Sequence, residues 1–231
     1  MSERLVKCIS GLYLGDQVQM HNGVASCINQ KHAVKLLTVQ FDRVVGNREA
    51  DPKHHGGLDR VLHHFPREHY GQYRRWDLLS TCHDAPLMGE NISTLGLNEA
   101  QIYIGDIVQI GAVTLQVTQP RSPCFKLNLQ FDQPKFALAM QESKMCGWFY
   151  KVLSEGDIRS SDSIVLLERT TDISVAKAMQ IYFLAEFDAA QYQMLLECEG
   201  LAQSWIDSLQ RRLEQQSIED WAMRLYGKAS H

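Results

Sequence analysis

The sequence predicts a mainly β, barrel-like domain with peripheral helices at residues 1–169, followed by a small all-α helical domain at residues 170–231. Three short apolar runs, at residues 102–104, 107–110 and 113–118, are separated by glycine corners, as in an antiparallel barrel or sandwich. In the second domain the apolar spacing changes to the i, i+4 repeat of amphipathic helices. A chain of 231 residues is long enough to bury a substantial core.

Further strands are expected before these runs. The triplet His21-Asn22-Gly23 predicts a hairpin, because asparagine followed by glycine accepts the backbone angles of a tight turn. Pro66 suits the first position of a helix that would run to about Trp76. The strands predicted in this part of the chain are residues 6–13, 17–20, 24–28, 34–39 and 61–65.

The remaining elements are mostly helical. In the first domain we expect helices at residues 134–141 and 144–153 and a final strand at residues 163–168. In the second domain Asp172 or Ser174 caps one helix and Asp188 caps the next, because such side chains accept hydrogen bonds from free N–H groups. The four helices expected there end near residue 182, before residue 200, at residue 215 and at residue 226.

Charge and cysteine usage exclude several classes of protein. The net charge of −4 argues against a general nucleic-acid-binding protein, and nine acidic against five basic residues in the helical domain argue against a DNA-reading helix-turn-helix. The six cysteines are scattered without a CxxC pair, unlike a zinc ribbon or a disulfide framework. Neither a secretory signal nor an apolar run of about 18 residues is apparent, so we expect a cytoplasmic protein without a membrane partner.

A proline-flanked cysteine carries the clearest chemical signal. Pro120 and Pro123 fix two backbone angles and remove two donors, so the preceding strand is expected to stop and a stiff loop to carry Cys124. Arg121 and Lys126 flank the thiol, and nearby cations favour the thiolate, the form that attacks or binds metal. The alternative is that this cysteine packs as a small buried apolar residue.

A second candidate site lies between residues 43 and 75, where seven basic residues and five histidines accompany four acids. Gly56-Gly57 allows the backbone to approach a ligand closely and to present N–H groups to it. With His55 and Arg60 beside it, the pair predicts an anion-binding loop, for example for a phosphate. A plain turn is the alternative.

The histidines of this segment do not fit a zinc site. Zinc requires three or four converging ligands, and His64 and His69 lie on either side of Pro66 without a standard spacing. If residues 61–65 form a strand, His63 and His64 point to opposite faces. Hydrogen-bonding or solvated histidines are therefore expected.

A third candidate is the run Gly89-Glu90-Asn91, which follows a loop broken by Pro86. Glu90 offers an acceptor charge and Asn91 an amide to a polar ligand. The alternative is a turn cap.

These motifs together resemble the MOSC domain, the module found at the C-terminus of molybdenum cofactor sulfurases. The cysteine run at residues 119–127 is the most specific of them, and Tyr70, Gly105-Asp106 and the two glycine motifs add weight through their order and spacing. The chain is similar to the bacterial hydroxylaminopurine-resistance branch, in which a three-helix "3-alpha" domain follows the MOSC domain.

The resemblance implies a barrel-like protein that binds the molybdenum cofactor (molybdopterin), with Cys124 as the sulfur ligand of the metal. A soft sulfur on a rigid loop agrees with such a site. Arginine, lysine and glycine amides suit the phosphate of molybdopterin, while a Glu-Asn pair suits pterin edges or substrate. The residues assigned in this way are Gly56, Gly57, Arg60, Glu90, Asn91, Arg121 and Lys126.

The resemblance also implies a molybdenum-dependent oxidoreductase that reduces N-hydroxylated bases and related compounds to amines. Cys124 would be catalytic as the metal ligand, and His55 or Glu90 would relay protons. The chain has no GxGxxG unit and no cysteine cluster for an iron–sulfur centre, so electrons are expected from a separate flavin-type reductase. The helical domain is a candidate docking surface for it.

Two other functions fit the same residues. Cys124 could carry a persulfide in a sulfur-transfer protein, because the same thiolate would serve. The chain could also be a pterin- or purine-binding module without turnover.

Overall fold

The structure is a computed structural model that describes residues 6–21, 23–28, 30–48, 56–183 and 186–227. The strands in these ranges are β1 (Val6–Leu14), β2 (Gln19–His21), β3 (Val24–Ser26), β4 (His32–Val34), β5 (Leu36–Val39), β6 (Leu62–Pro66), β7 (Ile92–Thr94), β8 (Ile107–Ile110), β9 (Val113–Pro120), β10 (Trp148–Ser154), β11 (Gly156–Arg159) and β12 (Ser163–Glu168). The α-helices are α1 (Glu68–Arg75), α2 (Lys126–Phe131), α3 (Phe136–Ser143), α4 (Val175–Tyr182), α5 (Ala189–Leu196), α6 (Gln203–Gln215) and α7 (Ala222–Tyr226).

Seven strands close into a barrel in the order β12, β8, β9, β10, β6, β7 and β1, and β1 completes the ring by pairing with β12. The pair β6 and β7 is parallel, and the other pairs of the ring are antiparallel. Wholly buried apolar side chains such as Leu62, Leu115 and Tyr150 fill its core. The predicted β barrel with peripheral helices and a C-terminal helical region is therefore confirmed.

The first strand is long enough to have several partners. Its first half pairs with β12 and its second half with β7 and β4, whereas β5 pairs with β11. The single strand predicted at residues 34–39 is therefore wrong, because the chain bends at Lys35 between strands with different partners. The predicted hairpin is confirmed by the pairing of β2 with β3, and Asn22 at its turn lies outside the described residues.

The helix predicted at residues 144–153 is also wrong, since most of this segment is β10. Lys144 (φ 61) and Gly147 (φ 72) adopt left-handed backbone angles, which end α3 and turn the chain into the sheet. From there Trp148, Tyr150 and Val152 are buried and alternate with more exposed residues, which is the period of a half-buried strand.

Two smaller predictions are corrected as well. Residues 102–104 form a turn rather than a strand, and the Tyr103 N–H donates a 2.9 Å hydrogen bond to the carboxylate of Asp106. Pro66 is the last residue of β6 rather than the first of a helix, and α1 begins at Glu68. The short helix α2 has no counterpart among the predicted helices.

The C-terminal helices begin and end close to the predicted positions. Ser174 Oγ accepts a 3.1 Å bond from the Lys177 N–H, and Asp188 Oδ1 accepts a 3.1 Å bond from the Gln191 N–H, so both predicted caps are confirmed. Buried Arg212 of α6 donates a 2.6 Å bond to the Tyr182 carbonyl at the end of α4, and it forms a bidentate bond to Glu219 between α6 and α7. Within the described ranges, no helix has both the length and the apolar character needed to cross a membrane.

The barrel and the helices share one apolar core. Wholly buried Tyr192 and Leu209 of the helices belong to the same cluster as Val117 of β9. Gly105 and Gly200 meet at the junction, where a Cβ added to Gly105 (φ 81) would lie 2.3 Å from the Glu199 carbonyl oxygen. This continuity leaves the domain boundary at residues 169 and 170 a prediction.

Candidate functional site

Cys124 lies on the loop between β9 and α2, and it is partly exposed. The strand predicted at residues 113–118 extends two residues further, to Pro120, and ends there. The Arg121 N–H then donates a 3.0 Å bond to the Gly147 carbonyl, and the Leu127 N–H donates a 3.1 Å bond to the Cys124 carbonyl. The loop around the cysteine is therefore tied at both ends.

Beside this loop a row of side chains crosses three strands on the outer face of the barrel. Gln119 in β9 lies opposite Phe149 in β10, which lies opposite His63 in β6. His64 points to the other face, where its ring stacks on Trp148 with the ring centres 4.2 Å apart. The predicted opposite orientation of the two histidines is therefore confirmed.

His63 marks a positively charged corner of this surface. Its Nε2 atom lies 3.4 Å from the carbonyl oxygen of Cys146. Burial lowers the pKa of His63 well below its ordinary value, and the charges of Arg121 and Lys31 lower it further. His63 is therefore neutral at pH 7, and the positive charge of the corner belongs to Arg121 and Lys31.

Arg121 is only 8% exposed, and its Nη1 atom has no hydrogen-bond partner among the described residues. In the same part of the chain, no carboxylate forms an ion pair with this guanidinium. A buried charged donor without an acceptor costs free energy, so such a donor is usually matched by a ligand or a water. The unpaired donor fits an anionic ligand beside the cysteine loop.

Gly147, whose carbonyl oxygen accepts the bond from the Arg121 N–H, is held in place by the buried pair Glu99 and His69. The two carboxylate oxygens of Glu99 lie 2.8 Å from His69 Nε2 and 2.7 Å from the N–H of Gly147. Gly147 has no room for a side chain, because an added Cβ would lie 2.1 Å from the His64 carbonyl oxygen. His69 therefore has a structural partner, as expected for a hydrogen-bonding histidine.

Glu90, predicted as a proton relay, is wholly buried. Its Oε1 accepts a 2.7 Å bond from the Tyr70 hydroxyl, and its Oε2 accepts a 2.9 Å bond from the Met88 N–H. Burial raises the pKa of Glu90, while the bond from Tyr70 opposes that rise. The same Tyr70 hydroxyl accepts a 2.7 Å bond from the Leu87 N–H, so this tyrosine fixes the loop before Gly89.

Asn91 is also enclosed by protein. Its Oδ1 accepts a 3.2 Å bond from the His63 N–H, and its Nδ2 donates 3.2 Å bonds to the Tyr13 carbonyl and to Asn47. The side chain therefore links β6 to the start of β7 and to β1. Glu90 and Asn91 are thus both buried, and their polar atoms are bonded to neighbouring protein groups.

The glycine loop leads into a 3-10 turn at Leu58–Arg60. Gly57 is exposed and takes a φ of 110°, and an added Cβ would meet none of the described residues within 4 Å. Burial lowers the pKa of Arg60, and the charge of Asp59 opposes this effect. His55 lies outside the described residues.

The same loop is anchored from two directions through Asp59. Its carbonyl oxygen accepts a 2.6 Å bond from the Thr118 hydroxyl of β9, and its Oδ2 accepts a 2.9 Å bond from the Gln203 N–H of α6. The helical region therefore contributes directly to the position of the glycine loop.

Two further cations were not among the predicted site residues. Lys31 acts electrostatically on His63 and Glu90, and Arg224 of α7 donates a 2.6 Å bond from Nη1 to the Pro123 carbonyl. Burial lowers the pKa of Arg224, and a thiolate at Cys124 acts in the opposite direction. No local sequence pattern identifies Arg224, because it lies 101 positions after Pro123.

The predicted site residues thus fall into three groups. Arg121 and Lys126 lie on either side of Cys124, and Lys126 begins α2 without an ion pair to any described residue. Arg60 lies on the glycine loop, which joins the helical region through Asp59. Glu90 and Asn91 form the third group, because both are enclosed by protein.

The donor set fits a metal cofactor that brings most of its own ligands. In the described ranges, no group of three or more His, Cys, Asp and Glu side chains could hold a metal ion. A metal held beside Cys124 would therefore have at most two ligands of these types from the described residues, with the buried Arg121 Nη1 donor on the same loop for an anionic cofactor. A surface cleft of about 690 Å³ between Thr38 and Asp162 contains none of the predicted site residues.

The fold and the site define a β-barrel protein with a proline-flanked cysteine loop, completed by a helical region that contacts that loop. Residues 51–165 match the MOSC domain, and residues 173–216 match the YiiM-like, 3-alpha helix domain. The chain therefore belongs to the MOSC-domain family, in its YiiM-like branch with a 3-alpha helix domain.

Individual relatives agree with this assignment. The chain is 42% identical to protein YiiM of Escherichia coli (strain K12) over 184 residues, which are 79% of this chain and 82% of YiiM. The crystal structure of E. coli YiiM superposes with a TM-score of 0.82 and 34% identity, covering 96% of this chain and all of that one. A protein named "Reductase" from Gibberella moniliformis is 36% identical over 128 residues, 54% of this chain but 23% of that protein.

Proposed function

We propose that this protein binds the molybdenum cofactor and reduces N-hydroxylated bases and related N-oxygenated compounds to amines. The buried Nη1 donor of Arg121, which has no partner among the described residues, carries the proposal, because it lies three positions from Cys124 on the same loop. A soft sulfur and an anion-binding cation on the same loop suit a metal cofactor with a phosphate. Binding of this cofactor is associated with the MOSC family in general, and one relative is named a reductase.

We propose the following roles for the residues that would hold the cofactor. The Cys124 sulfur would bind the metal. Arg121, Lys126, Arg60 and the amides of Gly56-Gly57 would hold the anionic end, with Lys31 adding positive charge. When bound, the cofactor supplies a two-electron redox centre. Glu90 and Asn91 would keep the underlying loops in place, since both are enclosed by protein.

The overall reaction consumes two electrons and two protons: the N–O bond of the substrate breaks, the amine forms and water leaves. We retain His55 as the proposed proton relay. His63 is neutral and buried, and its Nε2 faces the Cys146 carbonyl oxygen, so this ring would donate a hydrogen bond there rather than add charge to the site. The electrons would come from a separate flavin-type reductase, for which the outer surface of the helical region is the proposed docking face.

The first test is metal and pterin analysis of the purified protein. We expect molybdenum and pterin in the wild type and their loss in Cys124→Ser. Cys8→Ser is the matched control, because Cys8 is an exposed cysteine of β1. Equal cofactor content in the wild type and Cys124→Ser would overturn the assignment of the ligand.

The second test is turnover. The cofactor-loaded protein, given a chemical reductant, should consume hydroxylaminopurine or a simple amidoxime and release the amine. Loaded protein that consumes neither compound would favour a binding module without turnover. Metal-free protein that accumulates a persulfide on Cys124 would favour the sulfur-carrier alternative.

A further inference from the structure

The last described helix lies directly against the cysteine loop. The carbonyl oxygen of Arg224 in α7 accepts a 2.8 Å bond from the Phe125 N–H, and the Leu225 carbonyl accepts a 2.7 Å bond from Asn128 Nδ2. Gly227 ends this helix with a φ of 69°, and an added Cβ would lie 2.9 Å from the Phe125 ring. The main chain of α7 is therefore joined to the segment that follows Cys124.

The side chain of Arg224 holds the segment that precedes Cys124. Its Nη1 donates a 2.6 Å bond to the Pro123 carbonyl, and its Nη2 donates a 2.6 Å bond to Gln141 Oε1. One residue of the helical region thus binds both sequence neighbours of the cysteine, Pro123 through its guanidinium and Phe125 through its carbonyl.

The acceptors of Arg224 are unusual for a largely enclosed cation. Both are neutral, and in the described part of the chain no carboxylate forms an ion pair with Arg224. Its guanidinium also lies over the ring of Phe183, 4.9 Å from the centroid. A charge-assisted bond to a carbonyl is stronger than a neutral one, so this contact is well suited to fixing a loop.

We propose that Arg224 is a positioning residue for Cys124, which holds Pro123 and Phe125 so that the cysteine sulfur stays at one place relative to the barrel. The proposal rests on the proposed function in one respect, the use of that sulfur as a metal ligand. Pro120 and Pro123 stiffen the loop, but stiffness alone does not set its distance from the body of the protein. Metal ligands need such support, because small displacements of the ligand atoms weaken binding.

The test compares Arg224→Gln, Arg224→Lys and the control Arg211→Gln. Arg211 is an exposed arginine of α6, so its replacement removes the same charge from the helical region without touching the loop. Amide hydrogen exchange of residues 121–128 is measured by mass spectrometry on the purified, cofactor-free protein. Exchange needs neither metal nor substrate.

In Arg224→Gln we expect the amides of the loop to exchange about tenfold faster, because a charge-assisted hydrogen bond is lost. Arg224→Lys should give an intermediate rate, since one ammonium cannot hold both acceptors in the same planar geometry. Arg211→Gln should match the wild type. Unchanged exchange in Arg224→Gln would overturn the proposal, and so would an equal increase along α6, which would indicate general loosening of the helices.

The metal content of the same variants tests whether the fixed position of the cysteine sulfur matters for metal binding. We expect Arg224→Gln to retain several-fold less molybdenum than Arg211→Gln, with partial rescue in Arg224→Lys. Normal metal content in Arg224→Gln despite faster exchange would overturn the link to ligand binding. Absence of molybdenum from the wild type would instead overturn the proposed function, and the exchange rates would still decide whether Arg224 holds the loop.

Discussion

The carboxylate of Asp59 accepts a 2.9 Å hydrogen bond from the backbone N–H of Gln203, 144 positions later in the chain. Asp59 follows the exposed Gly57, and Gln203 is the first residue of α6. The first N–H groups of a helix have no partner within the helix, so an outside acceptor stabilises them. This contact makes the glycine loop and the helical region dependent on each other.

Removal of this acceptor should destabilise the whole chain. We expect Asp59→Ala to lower the free energy of unfolding by about 1–2 kcal/mol, the usual loss for a helix-capping acceptor. Asp59→Asn retains a side-chain oxygen and should lose less. Urea denaturation followed by circular dichroism measures both values, and equal losses in the two variants would contradict the capping role.

Gly147 is expected to tolerate no side chain. In Gly147→Ala the new Cβ would clash with the His64 carbonyl at 2.1 Å, in addition to the strain of a φ of 72°. Overpacking and a left-handed angle together should cost about 3 kcal/mol or more, so the variant should unfold at clearly lower temperature or fail to accumulate.

The matched control is Gly23→Ala, because Gly23 has a similar φ of 79° but no heavy atom within 4 Å of an added Cβ. Backbone strain alone should cost this variant about 1 kcal/mol. Thermal melts of the two variants separate crowding from strain. A Gly147→Ala protein as stable as Gly23→Ala would show that the junction of β6 and β10 can relax.

Acid should weaken the fold through His64. Burial lowers the pKa of His64 to about 3, and its ring nitrogens lie 3.0 Å from the Tyr150 hydroxyl and 2.8 Å from Thr94 Oγ1. In the unfolded chain His64 takes up a proton near pH 6.5, whereas in the folded chain it does not. The stability that the neutral His64 contributes is therefore fully present above pH 6.5. It is lost progressively as the pH falls from 6.5 towards 3.

The expected loss between pH 7 and pH 5 is about 2 kcal/mol from His64 alone, and His63, with its lowered pKa, adds to it in the same direction. Denaturation curves at several pH values measure the slope. His64→Gln cannot take up the proton and should flatten the slope, although it is less stable at pH 7. A slope equal to that of the wild type would exclude His64 as its source.

Arg121 should contribute to ligand binding at the expense of stability. Its Nη1 is buried without a partner among the described residues, so Arg121→Met should leave the cofactor-free protein equally stable or more stable by about 1 kcal/mol. The same variant should retain much less cofactor. Melting temperature and molybdenum content, measured side by side, test both statements, and a large fall in the stability of the cofactor-free protein would contradict them.

The sequence correctly predicts structural features that depend on residues close together in the chain. Cys124 and its prolines form one run, and the caps Ser174 and Asp188 precede their helices, so local rules were sufficient. The roles of Cys124 and of the other proposed site residues stay predictions.

The errors arise where distant partners decide the outcome. Residues 144–153 satisfy a helical pattern, but Gly147 and pairing with β6 and β9 make most of them a strand. The site roles of Glu90 and Asn91 stay predictions, although the Tyr70 hydroxyl and the Tyr13 carbonyl already bond to their polar atoms. Arg224 reaches Pro123 across 101 positions, a contact that no short motif encodes.

The contact between Arg224 and Pro123 also sets an order of events during synthesis. The cysteine loop leaves the ribosome before Arg224 does, because it precedes that residue by 101 positions. A nascent barrel then has its proline-stiffened loop but neither contact from α7. We therefore expect cofactor insertion to follow translation of the helical region, so that unfinished chains remain without metal.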